Sequence, residues 1–257
     1  MDITIRDRFT ALWQQYFPGA DLPITLEFRQ EPALLKKVPQ PDGWRCLICQ
    51  IGRVRNGTTL AFEARSITCG GGLMYAGYSD KRPPHFRYFL SHGKEGVIEG
   101  ERYKQTPEIV DAWDKLIPPF SQQGKDLVFA RWDKLTGKDN PGVVIFFARP
   151  EVMSGLFTLA NFDRSDPNGV ICPMGSGCSS IIYYPWLEQQ KEDPKVVLGM
   201  FDPSARPCVP PDVLTMAFPM KRFLKVIGFM EESFLTTKTW DTVKKKIGRS
   251  VALSDKK

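Results

Sequence analysis

An apolar run near the middle of the chain restricts the fold most. Positions 143–147 read Val-Val-Ile-Phe-Phe, with no polar side chain. β-Branched and aromatic residues favour extended structure, and a strand that is apolar at every position has both faces covered. A helix is predicted directly after it over 150–161, because Pro150 suits the first helical turn. The sequence therefore predicts a central strand of a sheet, followed at once by a helix.

Helical and strand-like patterns alternate along the 257 residues. The predicted strands are 24–28, 44–54, 58–64, 126–132, 142–147, 170–172, 195–201 and 213–218, and the predicted helices are 5–17, 86–91, 107–116, 150–161, 220–234 and 240–247. Asn56-Gly57 predicts a β-hairpin between the second and third strands, since both residues tolerate positive φ. We expect an α/β or α+β fold with a mixed β-sheet and flanking helices.

Domain organisation is predicted from length and from the absence of a long polar linker. We expect a single domain over 1–257, with any subdivision near 120–140. A weak likeness between two cysteine-containing loops further suggests two related halves.

Those two loops are the strongest functional signal. The first is Cys69-Gly70-Gly71-Gly72, and the second is Met174-Gly175-Ser176-Gly177-Cys178. Each places a thiol beside glycines and ahead of an apolar, aromatic segment. Glycine lets the backbone turn and leaves room for a ligand, and a helix N-terminus favours anions and thiolates. We expect both loops to line one cavity that binds a small anionic ligand, through the residues Gly70, Gly71, Gly175, Gly177 and Arg206.

The reactive residues of such a site are predicted to be cysteines. Cys178 and Cys69 are the candidate nucleophiles or redox thiols. We expect Cys178 to have a lowered pKa and to alkylate faster than Cys46 or Cys49, because free amides in its glycine loop would stabilise a thiolate. Three functions stay open: a ligand- or redox-centre-binding module, an enzyme with a nucleophilic or redox cysteine, and a protein-interaction module that uses the C-terminal helix.

Metal binding is a second hypothesis for the cysteines. Four of them lie in Gly- or Pro-rich loops and would complete a ligand set for an iron–sulfur cluster or a soft metal ion: Cys69, Cys172, Cys178 and Cys208. Cys46 and Cys49 fall on a predicted strand, where positions i and i+3 point to opposite faces. We therefore expect those two not to share a ligand. The alternative is that all these thiols are buried and inert.

Composition and charge limit the binding partners and the cellular location that we expect. The net charge is +6, and much of the excess lies near the C-terminus, up to Lys256 and Lys257. No basic stripe is interleaved with aromatic residues, so nucleic acid is not an expected partner. No apolar run is long enough to span a membrane, and the N-terminus lacks a signal-peptide pattern. We expect a cytoplasmic protein, in which thiol, metal or redox roles are favoured over disulfides.

A set of short motifs occurs in order between Trp44 and Lys225. They are Arg45-Cys46, Cys69-Gly70-Gly71, Tyr75-Ala76-Gly77-Tyr78, Gly175-Ser176-Gly177-Cys178, Leu198-Gly199 and Asp202-Pro203-Ser204-Ala205-Arg206. Together they resemble the ArCR family, a domain-of-unknown-function family of archaea and anaerobic bacteria. The resemblance implies a soluble, cysteine-containing intracellular protein. It carries over no catalytic residue.

Overall fold

The centre of the molecule is a mixed β-sheet. A computed structural model describes residues 1–31, 35 and 37–254. Its strands are β1 (Ile24–Arg29), β2 (Leu60–Phe62), β3 (Asp126–Arg131), β4 (Val143–Ala148), β5 (Val170–Ile171), β6 (Val196–Gly199) and β7 (Leu214–Pro219). They lie in the order β2-β3-β1-β4-β7-β6-β5. Neighbouring strands are antiparallel, except that β5 and β6 are parallel.

Helices cover both faces of this sheet, which gives an α+β fold. They are α1 (Ile3–Tyr16), α2 (Leu47–Arg55), α3 (Gly70–Tyr75), α4 (Phe86–Phe89), α5 (Pro107–Asp114), α6 (Pro150–Asn161), α7 (Tyr184–Gln189), α8 (Met220–Phe229) and α9 (Lys238–Ser254). A π-helical turn, Ser179–Tyr183, leads directly into α7. The predicted α6 is confirmed with its bounds. The start of α5 is also confirmed, because the Thr106 hydroxyl accepts the Ile109 N–H at 3.3 Å.

The predicted central strand is confirmed as β4. It pairs with β1 on one side and β7 on the other, and all six of its residues are buried. Alternate side chains enter different cores. Val143, Ile145 and Phe147 pack with α2 and α3 on one face, whereas Val144 and Phe146 pack with α1, α6 and α8 on the other. An uninterrupted apolar run is what such a two-sided strand requires.

The face that carries α1, α6, α8 and α9 is an aromatic core. The Phe9 ring lies 5.1 Å from Trp132 and 4.9 Å from Phe223, both edge to face. Trp13 stacks on Phe17 at 4.2 Å. Large rings that pack in these arrangements exclude water over a wide area and add about 0.5–1.5 kcal/mol per pair beyond burial. This face stabilises the sheet, while both cysteine loops lie on the other face.

The predicted strand over 44–54 is wrong, because most of this segment forms α2. Its buried residues are Leu47, Ile48, Ile51 and Val54, whose spacing matches one stripe of a helix rather than alternate positions of a strand. The predicted hairpin at Asn56-Gly57 is therefore absent. Gly57 instead ends the helix at φ +94°, and its N–H donates to the Val54 carbonyl at 2.9 Å.

The structure bears on two expectations drawn from composition, the lack of a membrane span and the basic cluster near the C-terminus. Within the part of the chain that the structure describes, no helix is long and apolar enough to cross a bilayer. Lys256 and Lys257, the end of the basic cluster, lie outside the described residues.

Candidate functional site

A cavity of about 860 Å³ lies on the face of the sheet that carries α2 and α3. Both cysteine loops line it, through residues 69–72 and 172–178, and the turn at 199–205 forms a third wall. Parts of the segment 83–104 cover it. The loops face each other closely, since a Cβ on Gly71 would lie 3.9 Å from the Ser176 hydroxyl oxygen. The shared cavity predicted from the two loops is thus present.

The cavity walls are mainly apolar. Aromatic side chains surround the space, among them Trp44, Phe86, Phe89 and Trp113. Trp44 stands at the rim with 71% of its surface exposed. Glu101, Tyr103 and Lys104 contribute polar groups on the covering segment. A space of this size and lining suits a small, largely apolar molecule held in orientation by a few polar contacts.

The Cys69 sulfur is a negatively charged group in the cavity wall near neutral pH. Cys69 is the residue before α3 and is only 8% exposed. A hydrogen bond from the Cys178 thiol lowers the pKa of Cys69 to about 6. Burial opposes this shift, while the backbone N–H groups of Leu47 and Gly72 add to it. Amides from the first turns of α2 and α3 therefore stabilise the thiolate together with the neighbouring thiol.

Gly72 makes room for this sulfur. A Cβ at position 72 would lie 2.6 Å from the Cys69 Sγ and 2.9 Å from the Ile67 Cγ2. Because real Cβ atoms do not approach so closely, an alanine there would push the sulfur away from its amide donors. Gly71 differs, since its nearest neighbour would be the Ser176 oxygen at 3.9 Å. Of these two glycines, only Gly72 is required by packing.

The pKa of Cys178 is raised, whereas the sequence predicted that it would be lowered. The hydrogen bond that it donates to Cys69 raises the pKa of Cys178 well above its usual value, and burial together with the charges of Cys69, Cys46 and Asp202 adds to the shift. Cys178 is 5% exposed. The amides expected to stabilise it have other acceptors: Gly177 N–H donates to Asp202 at 3.0 Å, and Ser179 N–H to the Ser176 carbonyl at 3.0 Å. The pair therefore carries its negative charge on Cys69.

The turn after β6 braces the second cysteine loop. Besides the Gly177 amide, the Asp202 carboxylate accepts the backbone N–H of Ser204 at 3.0 Å and its hydroxyl at 2.8 Å. Met200, buried at the start of the turn, has φ +71°, a conformation that costs a non-glycine residue free energy. Met200 N–H donates to the Ser180 hydroxyl at 3.3 Å. These contacts fix the wall of the cavity next to Cys178.

Arg206 stands apart from the predicted anion site. It is not among the cavity-lining residues. Its guanidinium donates to the backbone carbonyls of Met200 (3.3 Å), Val213 (2.6 Å), Pro210 (3.0 Å) and Pro211 (2.9 Å). Those four bonds occupy the side chain and hold the loop 200–213 in one conformation. The other predicted ligand-binding residues do line the cavity: Gly70, Gly71, Gly175 and Gly177.

The predicted four-cysteine metal set is not brought together. Cys208 forms a disulfide with Cys49, so it offers no thiolate in this state. Cys172 is exposed on the cavity wall, whereas Cys69 and Cys178 pair with each other. The expectation that thiol roles outrank disulfides is corrected at this one pair, because α2 and the 200–213 loop bring the two Cα atoms to 4.7 Å.

A different group of cysteines converges instead. The sulfurs of Cys46, Cys49 and Cys208 all lie within 4.8 Å of one another. The strand-based expectation that Cys46 and Cys49 point to opposite faces is wrong, since α2 places positions i and i+3 on one side. The signal that could have found this group was the CxxC spacing combined with the helical stripe of Leu47, Ile48 and Ile51.

Comparison with known protein families identifies a match that covers most of the chain. A family model described as Uncharacterised ArCR matches residues 22–228, which include α2, both cysteine loops and the loop 200–213. No curated protein and no solved structure matches the chain.

Proposed function

The chain belongs to the Uncharacterised ArCR family, and from its cavity we propose a small-molecule-binding redox module in which Cys69 and Cys178 are the active dithiol. One observation carries the proposal. The Cys69 thiolate and its Cys178 partner lie together in the wall of a mainly apolar cavity of about 860 Å³. Thiol–disulfide exchange uses a thiolate that attacks and an adjacent thiol that resolves the mixed disulfide, and this pair supplies both.

The cavity lining supports a largely apolar ligand. Trp44, Phe86 and Trp113 present aromatic surface to the same cavity that the two cysteine loops line. Arg206 is not available as the counter-charge for the anionic ligand that the sequence predicts, because its guanidinium donates hydrogen bonds to four backbone carbonyls. Lys104 is a cation on the covering segment. We therefore propose that the ligand is an apolar molecule with a soft, thiol-reactive centre. We also propose a cytoplasmic location, where the reducing environment favours the dithiol form of Cys69 and Cys178.

The proposed reaction with a small disulfide uses both thiols. The Cys69 thiolate attacks one sulfur of the bound disulfide, the ligand S–S bond breaks, and one ligand thiolate leaves. Cys178 then transfers its proton to the departing sulfur, and its thiolate attacks the Cys69 sulfur. The products are a Cys69–Cys178 disulfide, one ligand thiol and one ligand thiolate, so that two electrons pass from the protein to the ligand.

The test uses a small aromatic disulfide and mass-spectrometric mapping of each cysteine. We expect the wild type to accumulate a Cys69–Cys178 cross-link. Cys178→Ser should instead trap a mixed disulfide on Cys69, because no resolving thiol is left. Cys172→Ser is the matched control, since Cys172 lines the same cavity but is exposed and outside the pair. A Cys69 that reacts no faster than Cys172, or a Cys178→Ser variant without the trapped adduct, contradicts the proposal.

A further inference from the structure

We propose that Cys46, Cys49 and Cys208 form a redox-gated site for one thiophilic metal ion such as Zn²⁺, open when the Cys49–Cys208 disulfide is reduced. This site is separate from the Cys69–Cys178 pair. Its three sulfurs already lie within 4.8 Å of one another. Zn–S bonds of about 2.3 Å in tetrahedral geometry place ligand sulfurs about 3.8 Å apart. Small movements of the side chains therefore suffice to bring all three onto one ion.

Two of the ligands come from the start of α2. Cys46 is the residue before the helix, and Cys49 lies in its first turn, so both sulfurs are on one side. The helix is nine residues long. Cysteine binds a metal ion as the thiolate, and from this end of the helix both side chains can reach the same ion.

The third ligand is held in place independently of the disulfide. Cys208 ends the short 3-10 helix Arg206–Cys208, and its N–H donates to the Ala205 carbonyl at 3.0 Å. The Arg206 guanidinium bonds carbonyls on both sides of Cys208, from Met200 to Val213. These bonds persist when the S–S bond is broken. The loop therefore keeps Cys208 close to α2 in the reduced state, and Arg206 is a positioning residue for this ligand.

An ion can reach the three sulfurs and retain an open coordination position. Cys49 is exposed, and Cys46 and Cys208 are half-buried. Cys46 also lines the large cavity. Three protein ligands leave the fourth tetrahedral position for water or for a group bound in that cavity, as in zinc sites with an exchangeable ligand.

Reduction opens the site by a balanced exchange. A dithiol reductant attacks the Cys49–Cys208 bond, supplies two electrons and two protons, and leaves as a cyclic disulfide. Cys49 and Cys208 become thiols. With Cys46 they lose their protons to solvent as the metal ion binds. In the oxidised protein only Cys46 of the three can supply a thiolate, so the ion is not held.

The experiment is a cobalt titration of the full chain, because thiolate-to-Co²⁺ charge transfer reports sulfur ligands directly. Protein is reduced under anaerobic conditions with a phosphine, desalted and titrated with Co²⁺, and then challenged with Zn²⁺. We expect one Co²⁺ per reduced chain with a charge-transfer band that Zn²⁺ abolishes, and no band for the oxidised chain. Cys46→Ser leaves the disulfide intact and should lose the band after reduction.

Controls separate this site from the cavity dithiol. The Cys69→Ser variant removes the proposed redox pair and should keep the Co²⁺ band, while Cys172→Ser removes an exposed thiol and should keep it as well. Far-ultraviolet circular dichroism verifies that each variant is folded. The inference is overturned if the reduced wild type gives no band, if folded Cys46→Ser keeps it, or if Cys69→Ser abolishes it. The dithiol proposal is unaffected by the first two results, since its readout is the Cys69–Cys178 cross-link.

Discussion

The pH dependence of Cys69 alkylation tests the origin of its thiolate. A shift in the pKa of Cys69 from 9.0 to about 6 raises the thiolate fraction at pH 7 from about 1% to about 90%. Intrinsic nucleophilicity falls with pKa, by about 15- to 30-fold over this range if it follows the dependence for attack on disulfides. The net gain at pH 7 is therefore only about 3- to 6-fold. The shape of the pH profile is the sharper observable.

The assay is timed labelling with iodoacetamide, read for each cysteine by mass spectrometry between pH 5 and pH 10. We expect the Cys69 rate to level off above about pH 7. The rate at exposed Cys172, whose pKa is raised by desolvation, should keep increasing. Since the hydrogen bond from Cys178 is the largest cause of the Cys69 shift, Cys178→Ala should move the Cys69 inflection up by more than about one pH unit.

Cys178→Ser is the matched variant, because serine keeps a hydroxyl donor at nearly the same position. Its Cys69 inflection should stay closer to the wild-type value than that of Cys178→Ala. A wild-type Cys69 rate that still rises at pH 9 would refute the lowered pKa of Cys69. An unchanged Cys69 inflection in Cys178→Ala would refute the role of the Cys178 hydrogen bond.

Three further predictions concern packing and stability. Gly72→Ala should lower the unfolding free energy, measured in urea, by about 1–3 kcal/mol and should raise the pH of the Cys69 inflection, because its Cβ would lie 2.6 Å from the Cys69 sulfur. Gly71→Ala should be neutral in the same assay or stabilising by up to about 1 kcal/mol, and equal losses for the two variants would refute the packing requirement at Gly72. Arg206→Ala should lower the unfolding free energy by about 2–4 kcal/mol in the same assay, since four carbonyls lose their donor, and a loss below about 0.5 kcal/mol would show that the loop does not need it. The folded-state pKa of Cys69 is lowered to about 6, so the thiolate contributes its full stabilisation above the pKa that Cys69 has in the unfolded chain. This stabilisation is lost as pH falls toward 6, by up to about 1.4 kcal/mol per pH unit. Cys69→Ser should flatten this part of the stability–pH curve, and an unchanged slope would contradict the lowered pKa.

The sequence by itself determined much of the local structure. The run at 143–147 is apolar at every position and rich in β-branched and aromatic residues, which favours a strand covered on both faces, and β4 is that strand. Pro150 and Thr106 set the starts of α6 and α5 through backbone restrictions that act within one turn. The two cysteine loops also predicted their common cavity. Each of these signals depends on neighbours in the chain or on a repeated local pattern.

The segment 44–54 shows where local reasoning reached its limit. Apolar residues at 47, 48, 51 and 54 fit a helix, but the residues around them also fit an alternating strand. Burial against β3 and the cavity selects the helix, in which all four side chains are buried together. That choice reverses the relation of Cys46 to Cys49 and creates the three-sulfur group with Cys208.

Only the tertiary structure decided the chemistry of the cysteines. Cys69 and Cys178 lie on separate loops, and the disulfide joins Cys49 to Cys208 across 159 positions. The negative charge lies on Cys69 because the amides of Leu47 and Gly72 point at its sulfur. The Gly177 amide does not stabilise Cys178, because it donates to Asp202 instead. A pKa and a bond between distant residues depend on distances of a few ångströms, and those distances are fixed by packing that no local pattern encodes.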